Sequence, residues 1–185
     1  MCQDDWDVTT PREFQIQSIH RGAYYDNSFL SVTAKTGYGK SLIALGVATM
    51  RRGVTIIQVP LLGLGTDQVA KATHIDRNIE AYHVDEFKGK DGTTLRNRLV
   101  HATDEELQKL SLILFMSPQS LLPESDWSTI LQRLATKGHI STMVVDEAHQ
   151  VQLHGEGYRP AFVGSLMFMR TLYESMPALN VGRHR

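Results

Sequence analysis

Thr33-Ala34-Lys35-Thr36-Gly37-Tyr38-Gly39-Lys40-Ser41 sets two glycines, an ammonium and a hydroxyl in one short stretch. Phe29-Leu30-Ser31-Val32, a β-prone run, leads into it, and Leu42 to Met50, a helix-prone run, leads out. Glycines let a backbone curl until successive N–H groups point inward, where they can hold phosphate oxygens. A helix starting just beyond adds free N–H groups and its positive dipole end. In such a loop Lys40 would reach the β- and γ-phosphates of a nucleoside triphosphate, and the Ser41 hydroxyl would ligate Mg²⁺. The strict pattern has Gly where this chain has Ala34. The plain alternative is a glycine turn with an exposed lysine.

Far downstream, Met143-Val144-Val145 ends in Asp146-Glu147-Ala148-His149. An acidic pair closing a buried apolar strand is costly unless a cation is nearby. The Mg²⁺ ion bound to a triphosphate is such a cation. Asp146 would hold the metal and Glu147 would orient and deprotonate an attacking water. The alternative is a helix N terminus, where acidic residues also favour the dipole.

The elements that must position these groups follow from composition and periodicity. The chain has 185 residues, 42% hydrophobic and 21% charged, with formal net charge −1. That is enough for one α/β domain with a sizeable core, and it gives no global basic signal for nucleic acid. The single Cys2 excludes a disulfide framework and fits a reducing compartment. Neither a secretory signal nor an apolar run of membrane-spanning length is visible, so the expectation is an intracellular protein with no membrane partner.

Arg12 to Arg21 reads as a helix, with Thr9 or Thr10 as cap before Pro11 and Gly22 as its stop. Phe29 to Val32 reads as the first strand. Val54-Thr55-Ile56-Ile57-Gln58-Val59 is the β-branched run of a strand buried on both faces of a parallel sheet. Asp67 to Thr73 suggests a short helix, Ile79 to Val84 a strand, and Lys88 to Thr94 a mobile polar loop. Leu95 to Val100 and Glu105 to Leu110 look helical, and Leu112 to Met116 is a further buried strand. Trp127, Ile130, Leu131 and Leu134 have helical spacing, with Gly138 as a stop. Phe162, Leu166, Met169 and Tyr173 form one apolar helix stripe, read as core. Alternating strands and helices give a single domain built on a doubly wound, mostly parallel sheet with helices on both faces. Its span is 12–177, between an extension at 1–11 and a tail at 178–185.

Ala34-x-Thr36-Gly37-x-Gly39-Lys40-Ser41 with Asp146-Glu147-Ala148-His149 resembles motifs I and II of superfamily 2 helicases, in which Ala commonly replaces the first loop glycine. Arg12-x-x-Gln15-x-x-x-Ile19 is similar to the adenine-reading motif 0 of RecQ-like DNA helicases. Pro60-Leu61-Leu62-x-Leu64-x-x-Asp67-Gln68-Val69 is similar to their motif Ia, and Met116-Ser117-Pro118-Gln119 to their Thr-Pro-Glu element. His149-Gln150-Val151-x-x-x-Gly155-x-x-Tyr158-Arg159-Pro160 resembles their aromatic-rich loop. That loop usually carries Trp where this chain has His154, and Lys35 stands where Pro is common.

The resemblance implies an N-terminal RecA-like, DEAH-type domain that binds ATP and Mg²⁺. It implies that Arg12 and Gln15 contact adenine, Gln15 through an amide that matches the base edge. As a bare helix residue, Gln15 could equally be exposed and polar. Thr36, Gly37, Tyr38, Gly39, Lys40 and Ser41 would surround the phosphates. Catalysis would fall to Lys40, Asp146, Glu147 and His149, with Ser41 and Asp146 on the metal. Pro60, Leu61, Asp67, Gln68, Ser117 and Pro118 would line a track for single-stranded or partly duplex DNA, and Tyr158 and Arg159 would sense it. The resemblance also implies 3′–5′ unwinding, roles in DNA repair and recombination, and a nuclear address. Such motors need a second RecA-like domain, in cis or trans, to supply an arginine finger. The chain stops about where motif III is expected, so we expect ATP binding with slow turnover from it alone. The other reading is a non-catalytic nucleotide- or nucleic-acid-binding module.

Overall fold

The computed structural model describes residues 10–25, 30–35, 37–59, 68–73, 79–86, 90–146, 148 and 159–177. Strand β1 (Gly53–Gln58) carries the β-branched run, and every residue of it is buried. It lies between β3 (Ser111–Met116) and β4 (Ile140–Val145), parallel to both. Strand β2 (Glu80–His83) pairs in parallel with the far side of β3, so the described sheet runs β2-β3-β1-β4. A strand inside a parallel sheet has helices over both faces, which is why β1 has no polar alternation.

Both faces are covered. Val54 and Ile56 of β1, with Leu112, Leu114 and Met116 of β3, face one apolar cluster. It draws on helices α3 (Lys90–His101), α4 (Asp104–Lys109), α5 (Ser128–Thr136) and α6 (Arg159–Ser175). On the opposite face Ile57, Ile113 and Phe115 meet Leu45 and Ala48 of α2 (Lys40–Met50) and Ala72 of the helical residues 68–73. Each of the fully buried Val, Ile, Leu, Met or Phe side chains contributes about 1.5–3 kcal/mol. The result is an α/β architecture, a parallel sheet with helices over both faces. No helix among the described residues is long and apolar enough to cross a membrane.

Several expectations are corrected. Leu30 to Val32 are not a strand of the sheet, and Phe29 lies outside the described residues. The run is short, and Ser31 and Thr33 beside it are exposed, so it has little apolar surface to bury on two faces. Gly22 does not stop the first helix, α1 (Glu13–Tyr24), which runs through it. A Cβ there would lie 2.6 Å from Val47 Cγ2, so the glycine permits close packing of α1 on α2. Arg12 rather than a threonine is the N-cap of α1. Residues 90–94 are helical rather than loop, because the following Leu95 and Leu99 are anchored in the core and propagate α3 backwards past Gly92. In α6, Tyr173 is exposed and Leu172 buried, so the inner stripe is Phe162, Ser165, Phe168, Met169 and Leu172.

At the sheet's outer edge Glu80 accepts two hydrogen bonds from the Arg98 guanidinium and one from the Tyr82 hydroxyl. The Arg98 bonds hold the Glu80 carboxyl below its ordinary range, against the opposing push of partial burial. A depressed carboxyl stabilises the fold above its unfolded value and stops doing so as pH falls through the folded one. Glu80→Gln is expected to cost less than about 1 kcal/mol at neutral pH, since the pair is partly exposed. That difference should shrink as pH falls below the ordinary value of 4.5, read by urea unfolding across pH. Gly22→Ala normally stabilises a helix interior, but here it should cost about 1–3 kcal/mol through overpacking on Val47. Val47→Ala in the same chain should recover part of that loss in the unfolding midpoint.

Candidate nucleotide and nucleic-acid site

The loop before α2 is built by its glycines. Gly37 and Gly39 have φ of 80° and 78°, a left-handed conformation that other residues adopt at a cost. The Tyr38 amide donates to the Lys35 carbonyl at 3.2 Å, closing the turn. Lys40 folds back over it, and its Nζ donates to the Ala34 carbonyl at 3.0 Å. An ammonium has three protons, so one such bond leaves it able to meet an anion as well. Gly39 is the N-cap of α2 and brings no side-chain cap, so the first N–H groups of this helix form an anion-facing end. Ser41 is exposed on the first turn of α2, and Thr36 lies outside the described residues.

Helix α1 is fastened to this loop. Gln15 is 5% exposed, so it is not a solvated surface residue. Its Oε1 accepts from the Arg12 amide at 2.8 Å, and its Nε2 donates to the Gly39 carbonyl at 3.0 Å and the Tyr38 carbonyl at 3.4 Å. The Arg12 guanidinium stacks over the Tyr38 ring at 4.1 Å and donates to the Tyr38 carbonyl at 3.3 Å. Beside these contacts a cleft of about 490 Å³ opens between α1 and the loop, lined by Phe14, Ser18, Thr33, Ala34, Lys35 and Tyr38.

The opposite end of α2 fixes where the loop sits on the sheet. Arg51, just past the helix, donates to the Ser141 carbonyl near the start of β4 at 3.2 Å. Helix α2 then runs back along the sheet over Ile57, Phe115 and Val144. Its 11 residues span about 16 Å, close to the roughly 17 Å from Ser141 to Asp146, the residue just past β4. Lys40 and Asp146 are thereby carried to the same rim, at the carboxyl ends of the strands. Asp146 is half-buried there; its amide donates to the Gln58 carbonyl at 3.0 Å, and its Oδ2 accepts from Gln68 Nε2 at 3.4 Å. Glu147 and His149 fall outside the described residues, as do Pro60, Leu61, Asp67 and Tyr158. Arg159 is the first residue of α6.

Along the same rim, Ser117 and Pro118 follow β3 and are both buried, while Gln119 beside them is exposed. The Ser117 amide and hydroxyl both donate to the Asp85 carboxylate, at 2.9 and 2.8 Å. Sequence reasoning missed Asp85, although an acidic residue closing a strand is the signal that singled out Asp146. It also missed Gln58, a buried polar residue in the β-branched run. The Gln58 Oε1 accepts from Ser165 of α6 at 3.1 Å, while its backbone carbonyl receives the Asp146 amide.

The sequence profile of the DEAD/DEAH box helicases matches residues 12–174, from the residue that opens α1 to the last turn of α6. The chain belongs to the DEAD/DEAH box helicase family. Domains of this family bind nucleotide, and its members act on nucleic acid. Within the family the chain is similar to RecQ-like helicases. It is 27% identical to ATP-dependent DNA helicase Q-like 2 of Arabidopsis thaliana, covering 79% of this chain and 20% of that protein. Against RecQ-like DNA helicase BLM of Xenopus laevis the identity is 26%, covering 91% of this chain and 12% of the relative. Against ATP-dependent DNA helicase RecQ of Synechocystis it is 27%, covering 71% and 25%. The chain thus spans a quarter or less of these three relatives, and what it shares with them is the helicase ATP-binding domain.

In this helicase domain the two loop glycines are distinguishable. A Cβ on Gly39 would lie 2.5 Å from Gln15 Nε2, whereas one on Gly37 would meet nothing within 4 Å. Both substitutions strain a left-handed residue by about 1–3 kcal/mol, but only Gly39→Ala also displaces Gln15. Titration with a fluorescent ATP analogue should therefore show weaker binding for Gly39→Ala than for Gly37→Ala.

Proposed function

We propose that this chain is the ATP-binding half of a RecQ-like, ATP-dependent 3′–5′ DNA helicase, holding ATP·Mg²⁺ and single-stranded DNA on adjoining parts of one rim. The observation that carries this reading is the tie from Arg51 to Ser141, which sets α2 along β4 and so brings the Lys40 loop to the end that bears Asp146. The loop amides and the α2 N terminus would hold the phosphates, and Lys40 would neutralise the charge that grows on them. Arg12, Gln15 and the adjoining cleft would take the base, with Gln15 exchanging its bonds to the Tyr38 and Gly39 carbonyls for the adenine edge.

The Ser41 hydroxyl and the Asp146 carboxylate are hard oxygen donors of the kind Mg²⁺ selects. Gln68 orients that carboxylate through Oδ2. Mg²⁺ bound by Ser41 and Asp146 would supply positive charge to screen the phosphates. Glu147 would orient and deprotonate the attacking water, and His149 would relay the state of the phosphates towards the DNA. The DNA path would run from Pro60, Leu61, Asp67 and Gln68 past the Ser117-Pro118 turn to Tyr158 and Arg159. A second RecA-like domain, in cis or trans, would supply the arginine that completes turnover.

Binding of a fluorescent ATP analogue to the purified chain should require Mg²⁺ and weaken at least about tenfold in Lys40→Ala and in Asp146→Asn. Adding a RecQ-like second domain in trans should then raise DNA-stimulated phosphate release. Nucleotide binding with no gain in turnover would favour the non-catalytic module, and unimpaired binding by both variants would overturn the site.

A further inference from the structure

We infer that Asp85 is a positioning residue for the nucleic-acid path, shaping the turn after β3 so that Gln119 faces the strand. The inference rests on the reading just proposed and extends it to a residue outside every motif that suggested it. Strands β2 and β3 end together: His83 pairs with Phe115, and the Val84 amide donates to the Phe115 carbonyl at 3.0 Å. Asp85 therefore stands level with Ser117 at the carboxyl rim. Its carboxylate gathers the Ser117 amide at 2.9 Å, the Ser117 hydroxyl at 2.8 Å and the Ser120 hydroxyl at 2.5 Å. The Ser120 amide in turn donates to the Ser117 hydroxyl at 3.3 Å. These bonds bracket Pro118 and Gln119 from both sides. The 3-10 turn Gln119–Leu121 follows, with Leu121 fully buried beneath it and Gln119 left exposed.

An anion beside a path for a polyanion is unfavourable unless it does something else. Here it accepts from donors on both sides of the presented residue, and charge-assisted bonds of this kind are the strong ones. This sets the sign of the test. Deleting the charge should tighten oligonucleotide binding if Asp85 acts only through the local potential. It should weaken binding if Asp85 acts by holding the turn.

The test measures anisotropy of a labelled oligothymidylate, in parallel with binding of a fluorescent ATP analogue. Asp85→Ala should weaken oligothymidylate binding about five- to tenfold while nucleotide affinity stays within about twofold. Asp85→Asn keeps one accepting oxygen and should fall between Asp85→Ala and the parent; it carries the test if Asp85→Ala does not fold. Gln119→Ala, which removes the amide at the presented position, should also weaken oligothymidylate binding. If Gln119→Ala weakens binding but the Asp85 variants bind as well as or better than the parent, the role of Asp85 is overturned and the DNA path stands. Equal losses of oligothymidylate and nucleotide affinity would also overturn it, as general damage. If the parent binds no oligothymidylate, the DNA path fails and the inference with it; if Gln119→Ala binds like the parent, Gln119 does not face the strand and the inference is overturned.

Discussion

One register constraint governs the rest: helix α2 must lie antiparallel to β4, with its last turn tied to the strand's beginning. Arg51 makes that tie through the Ser141 carbonyl and also donates to the Ala23 carbonyl at the end of α1. Two charge-assisted bonds to backbone therefore fix three elements at the amino-terminal edge of the sheet. Because α2 and β4 have similar lengths, fixing one edge decides what meets at the other. A loop and a carboxylate distant in sequence come to one rim without any direct contact being needed to bring them there.

The parallel sheet supplies the remaining geometry. All four strands of the described sheet end on the same side, so Gln58, Asp85, Ser117 and Asp146 share that rim by topology alone. Open parallel sheets place their ligand chemistry there. Backbone groups at strand ends also lack the ladder partners they would have further in, so side chains such as Asp85 are drawn in to satisfy them. Polar residues at strand ends thus serve the fold and the site at once.

What could be read from the sequence was what depends on local pattern. The β-branched run gave β1, and the glycine spacing gave the loop, because both signals lie within a few residues. The burial of Gln15 was not legible, since nothing within α1 shows that the Gly39 carbonyl will lie over it. Gly22 was misread for the same reason: its neighbour Val47 is distant in sequence, and a glycine in a helix looks like a stop until its contact is known. Tyr173 and Leu172 differ by one position, and a stripe count over three turns cannot settle which of two adjacent apolar residues turns inward when α6 packs on two neighbours. Asp85 went unnoticed because a single acidic residue after a short strand is ordinary until its donors on β3 are seen.

Helix α1 rests on α2 and its loop at two footings about two helical turns apart, Gly22 against Val47 at one end and the Gln15 amide on Gly39 at the other. The first is a steric contact with little room for sliding, and the second is a set of hydrogen bonds that can be exchanged. A ligand that takes the amide away from Gly39 would release the second footing and leave the first, where Arg51 also holds the Ala23 carbonyl, so any give in α1 would come at its Gln15 end.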